Sequence, residues 1–303
     1  MLEHVRLSLL DRSRTRAGEP DAVALRDTVE RAVRAERLGY HRFWVAEHQG
    51  VPGIASGSPP VLMAAVAART ERSRVGSGGV MLPNHQPLVV AEQFAMREAL
   101  FPGRIDFGVG RSLGFTPPVR RALRRGADEP DTFAEDLAEL RDHLGGRQRG
   151  RRDRGWTPRP GLRTGDRSRT CGRGCRGTPG AEPYVVVSLD VLVADSVAAA
   201  RELALPEAWA LAAARTTGEF PALEPVAGIA SGSLSARQRS VVDAAVGRTV
   251  HGDAGTVAAE LEGLLAHPGA DEVLASTSTF DRAALTEFDT PIGGTVRVMN
   301  YAV

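Results

Sequence analysis

The first 112 residues alternate four times between a β-rich run and a helical one. "HVRLSLLD" (4–11) reads as a strand. "DAVALRDTVERAVRAERLGY" carries Val23, Leu25, Val29, Ala32, Val33 and Leu38 at nearly helical spacing and closes on Gly39. "HRFWVAEH" (41–48) is a second strand whose polar residues gather at its C-terminal end. "SPPVLMAAVAART" (58–70) is an apolar helix with prolines in its first turn. "SRVGSGGVMLP" (73–83) is a strand interrupted by glycines, "PLVVAEQFAMREALFPG" a helix stopped by Pro102 and Gly103, and "RIDFGVGRS" (104–112) a fourth strand. Connections of this length join parallel strands through right-handed crossovers.

A helix, "TFAEDLAELRDHL" (132–144), follows, and there the alternation stops. It resumes with the strand "PYVVVSLDVLVADS" (183–196), which leads into a helix through Arg201 to Leu203. A helix at 254–267 and a strand at 270–280 come last. Six strands are therefore expected, all or mostly parallel. A (β/α)8 barrel uses eight strands and ~250 residues. The competing architecture is an open doubly wound sheet, but no GxGxxG follows the first strand, and "GVGRS" has the wrong spacing for one.

The interruption has a composition of its own. Residues 145–177 hold eleven arginines, two acids (Asp153 and Asp166) and both cysteines of the chain. The chain as a whole is at +1, so the remaining residues carry about eight negative charges and do not describe a nucleic-acid-binding body. Cys171 and Cys175 form a CxxxC without a second ligand pair, which argues against zinc. His4, His41, His143, His251 and His267 show no metal-ligand spacing. Two cysteines make no disulfide framework and fit a reducing cytoplasm. Neither a secretory leader nor a membrane span is expected.

In a parallel barrel the working residues lie where strands end and βα loops begin. Three such places stand out. Glu47-His48 ends the second strand, and His is the side chain most easily poised for proton transfer near neutral pH. Ser77-Gly78-Gly79 interrupts the third strand, either as a bulge or as a point of close approach by a ligand. Arg111, between Gly110 and Ser112, ends the fourth, and a guanidinium suits a phosphate. Asn84 and His85 lie just past the third strand and would face the same mouth. Each place also has a plain structural reading: a hydrogen-bonded pair, a bulge, a rim salt bridge.

Three segments, "FWVAEHQGVPGIASGSPPVLMAAVA", "SRVGSGGVMLPNHQPLVVAEQFAMREALFPGRIDFGVGRS" and "AEPYVVVSLDVLVADS", resemble the bacterial luciferase-like monooxygenase family, in particular its single-subunit branch. The likeness is close over 1–144, fair over 182–303 and absent between. It implies one flavin-binding (β/α)8 domain over 1–303, interrupted by an irregular Arg/Gly-rich segment at 145–181. It further implies reduced FMN supplied by a separate flavin reductase, O2 as co-substrate and a small organic substrate. His48, with Glu47, would handle protons. Gly78, Gly79 and Val80 would lie beneath the isoalloxazine ring, with a non-prolyl cis peptide at Gly78-Gly79, and Arg111 and Ser112 would meet the flavin phosphate. A homodimer through early-barrel helices is implied, the helix at 85–100 among them. No metal, nucleic acid or membrane enters.

Two departures stand against the pattern. Gly110 replaces a reactive cysteine of luciferase α chains, so light emission is not implied. The 145–181 segment stands where the family has its fifth and sixth strands and a phosphate loop, so the barrel is expected to be incomplete, with those strands missing or replaced. The segment reads as an RNA-binding arm, a surface insertion, or the product of out-of-frame reading of GC-rich DNA, which yields Arg, Gly, Pro and Thr; the last fits its composition best. The functional alternatives are a deazaflavin-dependent oxidoreductase on the same barrel and a truncated flavin-binding protein without catalysis.

Overall fold

The computed structural model describes residues 5–113, 116–126, 130–145, 184–232, 234–265 and 270–290. From residue 146 onward the Arg/Gly-rich segment lies outside them. Among the described residues the strands are β1 (Arg6–Asp11), β2 (Arg42–Val45), β3 (Arg74–Ser77), β4 (Val80–Met81), β5 (Ile105–Asp106), β6 (Val109–Gly110), β7 (Val186–Val193), β8 (Val250–Gly252) and β9 (Glu272–Ser276). The helices are α1 (Asp21–Leu38), α2 (Pro59–Arg69), α3 (Pro87–Leu100), α4 (Pro117–Ala122), α5 (Phe133–Leu144), α6 (Val197–Thr217), α7 (Val226–Ser231), α8 (Ala236–Val246), α9 (Ala254–Leu265) and α10 (282–290).

Seven strands form one parallel sheet in the order β5-β3-β2-β1-β9-β7-β8, and β4 and β6 pair separately. β1 has β2 on one side and the late strand β9 on the other, which is how a β/α barrel brings its beginning and end together. The third and fourth strands each break in two. Gly78-Gly79 separates β3 from β4, and Phe107-Gly108 separates β5 from β6. At the break Ser77 Oγ donates to Gly108 O (2.9 Å) and accepts from Gly108 N–H (3.1 Å). A Cβ on Gly108 would run into Ser77 O, so only glycine allows this approach. The sheet does not close among the described residues: β5 and β8 are its free edges. The fold is thus an incomplete parallel β/α barrel.

Register sets the core. Leu9 stands opposite Phe43, Phe43 opposite Val75, and Val75 opposite Ile105. On the other side Leu7 faces Val273, and Val273 faces Val187. Leu9, Phe43, Val75 and Val273 are fully buried, each contributing ~2 kcal/mol of transfer free energy. α1 contributes Ala32 and Ala35 to this core, and Gly39 ends the helix in the left-handed region (φ 91°) while donating its N–H back to Glu36 O. A second cluster forms where α6 and α8 cross. Ala200, Ala204, Ala208 and Ala212 recur every fourth residue on α6, and this small-residue stripe receives Val242 and Val246.

Candidate active site

Because the strands run in one direction, the loops after β1, β2, β4, β6 and β9 all open at the same end of the sheet. His48 is in the loop after β2. Its backbone N–H donates to Ser56 O (2.9 Å), while its side-chain Nδ1 is buried without a hydrogen-bond partner. Burial, then Arg12 and Arg14, hold the imidazole below its usual range, against the opposing pull of Glu47 and Glu207. At neutral pH it is a neutral ring with a free buried nitrogen.

Glu47 is engaged elsewhere. It is 2% exposed; Oε2 accepts from Met81 N–H (2.7 Å), and Oε1 meets His85 Nε2 (2.6 Å) and Gln49 Nε2 (2.5 Å). Gln49 Oε1 in turn accepts from Asn84 Nδ2 (2.9 Å). The carboxylate ties the end of β2 to β4 and to the turn after it, fixing the floor beside His48 rather than bonding His48 itself.

The Gly78-Gly79 peptide is cis. Gly78 N–H donates to Val45 O (2.8 Å), which holds the pair against the end of β2. A Cβ on Gly79 would lie 2.9 Å from Val109 C and 3.0 Å from Gly110 N; one on Gly78 would lie 2.8 Å from Leu10 Cδ1. Val80, grouped from sequence with the cofactor-facing residues, packs into the main core, and its N–H is bonded to Gly108 O (2.8 Å). Arg111 and Ser112 follow β6 and are exposed. The Arg111 guanidinium donates to Asp131 and approaches the Phe133 ring at 6.0 Å.

Sequence reasoning missed the charges around His48. Arg12 and Arg14 follow β1, and both reach Glu207 on α6, at 3.2 and 2.7 Å. Arg14 also donates to Gly53 O and lies over the Phe220 ring at 4.3 Å. The only signal was the basic alternation in "DRSRTR" directly after a strand; nothing in sequence linked it to Glu207. Among the described residues no cluster of His, Cys, Asp and Glu could hold a metal ion, and no helix is long and apolar enough to cross a membrane.

The family model for luciferase-like monooxygenases matches residues 5–151. Residues 5–151 of this chain are luciferase-like in sequence. A luciferase-like monooxygenase of Escherichia coli K12 is 46% identical over 139 residues, which is 46% of this chain and 42% of that protein. The N-acetyl-S-alkylcysteine monooxygenase of Bacillus subtilis is 47% identical over 137 residues, 45% of this chain and 41% of that protein. The match thus spans about two-fifths of the length of these curated relatives. The luciferase-like fold itself extends further. The oxygenating constituent of 3,6-diketocamphane monooxygenase from Pseudomonas putida, solved in complex with FMN, superposes with a TM-score of 0.67 at 16% identity, covering 97% of this chain and 98% of that one. At that identity the likeness speaks for the fold. The luciferase-like segment contains His48, Gly78-Gly79 and Arg111, whereas Glu207 lies beyond it.

Proposed function

We propose that this protein is a flavin-dependent monooxygenase that uses reduced FMN, delivered by a separate reductase, and O2 to oxygenate a small organic substrate in the cytoplasm. The observation that carries this reading is the shared end of the sheet onto which His48, Gly78-Gly79 and Arg111 open. The residues fit a flavin. The paired glycines offer a floor without side chains, His48 has a buried, unpartnered Nδ1, and Arg111 is an exposed cation for a phosphate. FMN would supply the two electrons that activate O2. His48 would hold or release a proton at Nδ1, the nitrogen that the protein leaves free. Its depressed proton affinity keeps it neutral and able to accept. Glu47 is the positioning residue that fixes the Met81 backbone and His85 alongside. Arg111 reaches a phosphate by exchanging Asp131 for it.

The protein would act as a homodimer. Leu88, Val89, Met96 and Leu100 on α3 and Val61 on α2 are large apolar residues left exposed, a face that a second copy would cover.

Anaerobic titration of the purified chain with reduced FMN tests the reading. Binding is expected, followed on admission of air by O2 consumption that His48→Gln slows without weakening FMN binding. Failure to bind FMN at millimolar concentration refutes it. Binding of a reduced deazaflavin in place of FMN redirects it to hydride transfer.

A further inference from the structure

A cavity of about 130 Å³ lies between α6 and the C-terminal ends of β1, β7 and β9. Its apolar walls include Val191 and Leu192 from β7, Ala208 and Leu211 from α6, and Phe220 beyond it. Its polar residues are Arg12, Arg248, Asp190, Glu207, Thr249 and the run Ser276, Thr277 and Ser278. The lining balances two guanidiniums against two carboxylates, but the pairing is uneven. Asp190 is 3.4 Å from Arg12, while Glu207 is divided between Arg12 and Arg14. Both carboxylates of the lining are thus engaged by Arg12, and Arg14, outside the lining, takes a share of Glu207. Arg248 has no ion-pair partner among the described residues. Arg12 Nε is buried with no hydrogen-bond partner.

We infer that this cavity binds a small organic carboxylate, its charged end on Arg248 and Arg12 and its short apolar tail against Leu192, Leu211 and Phe220. A buried N–H with no acceptor, on Arg12, and a guanidinium outside the ion pairs, that of Arg248, both call for an anion. The apolar walls reject a bare inorganic ion in favour of one with a hydrocarbon tail. At ~30 Å³ per water-sized group, the volume takes roughly four or five non-hydrogen atoms, the tail of a four-carbon acid with its carboxylate at the rim. Arg12 and Glu207, which line the cavity, also act electrostatically on His48, so an acid bound at Arg12 would be felt by the proton-handling residue. Its role as the anchor of the oxygenated substrate rests on the flavin reading; the binding itself does not.

Isothermal titration of the full chain with butyrate and with its neutral isostere butyramide tests the assignment. Saturable butyrate binding is expected, with butyramide about tenfold weaker. Arg248→Gln, an exposed substitution that leaves the fold alone, should weaken butyrate about tenfold and leave butyramide unchanged. Leu211→Trp, which fills the cavity, should abolish both. The inference is overturned if butyrate does not saturate, if acid and amide bind alike, or if Arg248→Gln has no effect. FMN titration of the same preparation separates the two readings: FMN binding without butyrate binding removes this inference alone, and butyrate binding without FMN binding removes only the flavin assignment.

Discussion

Arg97 provides a direct measure of how the outer wall between α3 and α5 is held. It is on α3, 4% exposed, and both Nε and Nη2 are buried without a hydrogen-bond partner. No ion pair reaches it among the described residues. Burial alone pulls its guanidinium down to about 10. That corresponds to ~3 kcal/mol against the charged form, trimmed to ~2 kcal/mol by the solvent that still screens the head group. The Phe94 ring, 4.0 Å from the guanidinium carbon, returns ~0.5–1 kcal/mol. Methionine keeps the unbranched stem and carries no charge. Arg97→Met should therefore stabilise the protein by ~1–2 kcal/mol and raise Tm by about 2–8 °C. The sign with pH follows from the folded-state value lying below the unfolded one. The penalty is complete at neutral pH and recedes as pH rises past about 10, so the gap between the two proteins should narrow there. Thermal unfolding at pH 7 and at pH 10.5 reads both effects. A lower Tm for the Met variant would refute the reasoning, since it would mean that the guanidinium contributes more than it costs.

Other outcomes follow from the same geometry. Gly79→Val puts a Cβ against the 109–110 backbone and should lower Tm by several degrees and abolish FMN binding, whereas Gly57→Ala, which has open space at its Cβ, should do neither. Asp131→Asn releases the Arg111 guanidinium and should tighten FMN binding a few-fold in fluorescence titration. Arg31→Met strands Asp11 and Asp289 in the interior and should cost ~3–5 kcal/mol in urea unfolding. Burial would raise the Glu207 carboxyl, but Arg12 and Arg14 outweigh it and hold it below the usual carboxylate range. Its stabilisation is complete above the unfolded-state value near ~4.3 and is lost as pH falls through the lower folded one, so Glu207→Gln should flatten stability over that acid window.

The first four strands were legible because each combines an apolar run with punctuation that has one mechanical reading: Gly39 as a helix stop, prolines at helix starts, polar residues gathered at a strand's end. The breaks within the third and fourth strands were not, because they depend on a cross-strand event, Ser77 bonding both backbone groups of Gly108. In the second half β8 is too short to show a period, and α6 runs on to Thr217 through an internal Pro206 that argues locally for a stop. α8 did leave a mark, since Ser235 and Gln238 form a capping box in "SARQ". The site divides in the same way. His48, the glycine pair and Arg111 are proposed from their position along single strands. The partners of Glu47 and the Arg12–Glu207–Arg14 group were hidden, because charge pairs formed between distant segments leave no spacing to read.

An unclosed barrel can keep such a site only if its remaining wall holds its curvature without the missing strands. Two buried ionic lattices do this, one at each end of the sheet. At the N-terminal ends of the strands Arg42 bridges Asp106 (2.6 Å) and Glu272 (2.8 Å), Arg74 joins Asp106, and Tyr184 OH donates to Glu272 (2.7 Å). That lattice reaches from β5 across β3, β2 and β9 to the residues entering β7. At the other end Arg31 on α1 spans Asp11 at the end of β1 (3.0 Å) and Asp289 on α10 (2.8 Å), and Tyr40 OH donates to Asp289 O. Buried pairs of this kind add little net stability against apolar substitutes, but each bond broken singly leaves a charge stranded. They therefore penalise sliding and flattening more than they favour folding. The spacing between the loops after β2, β4 and β6 is set by side chains that do not need the barrel to close, and so the mouth keeps its shape while β5 and β8 remain open edges.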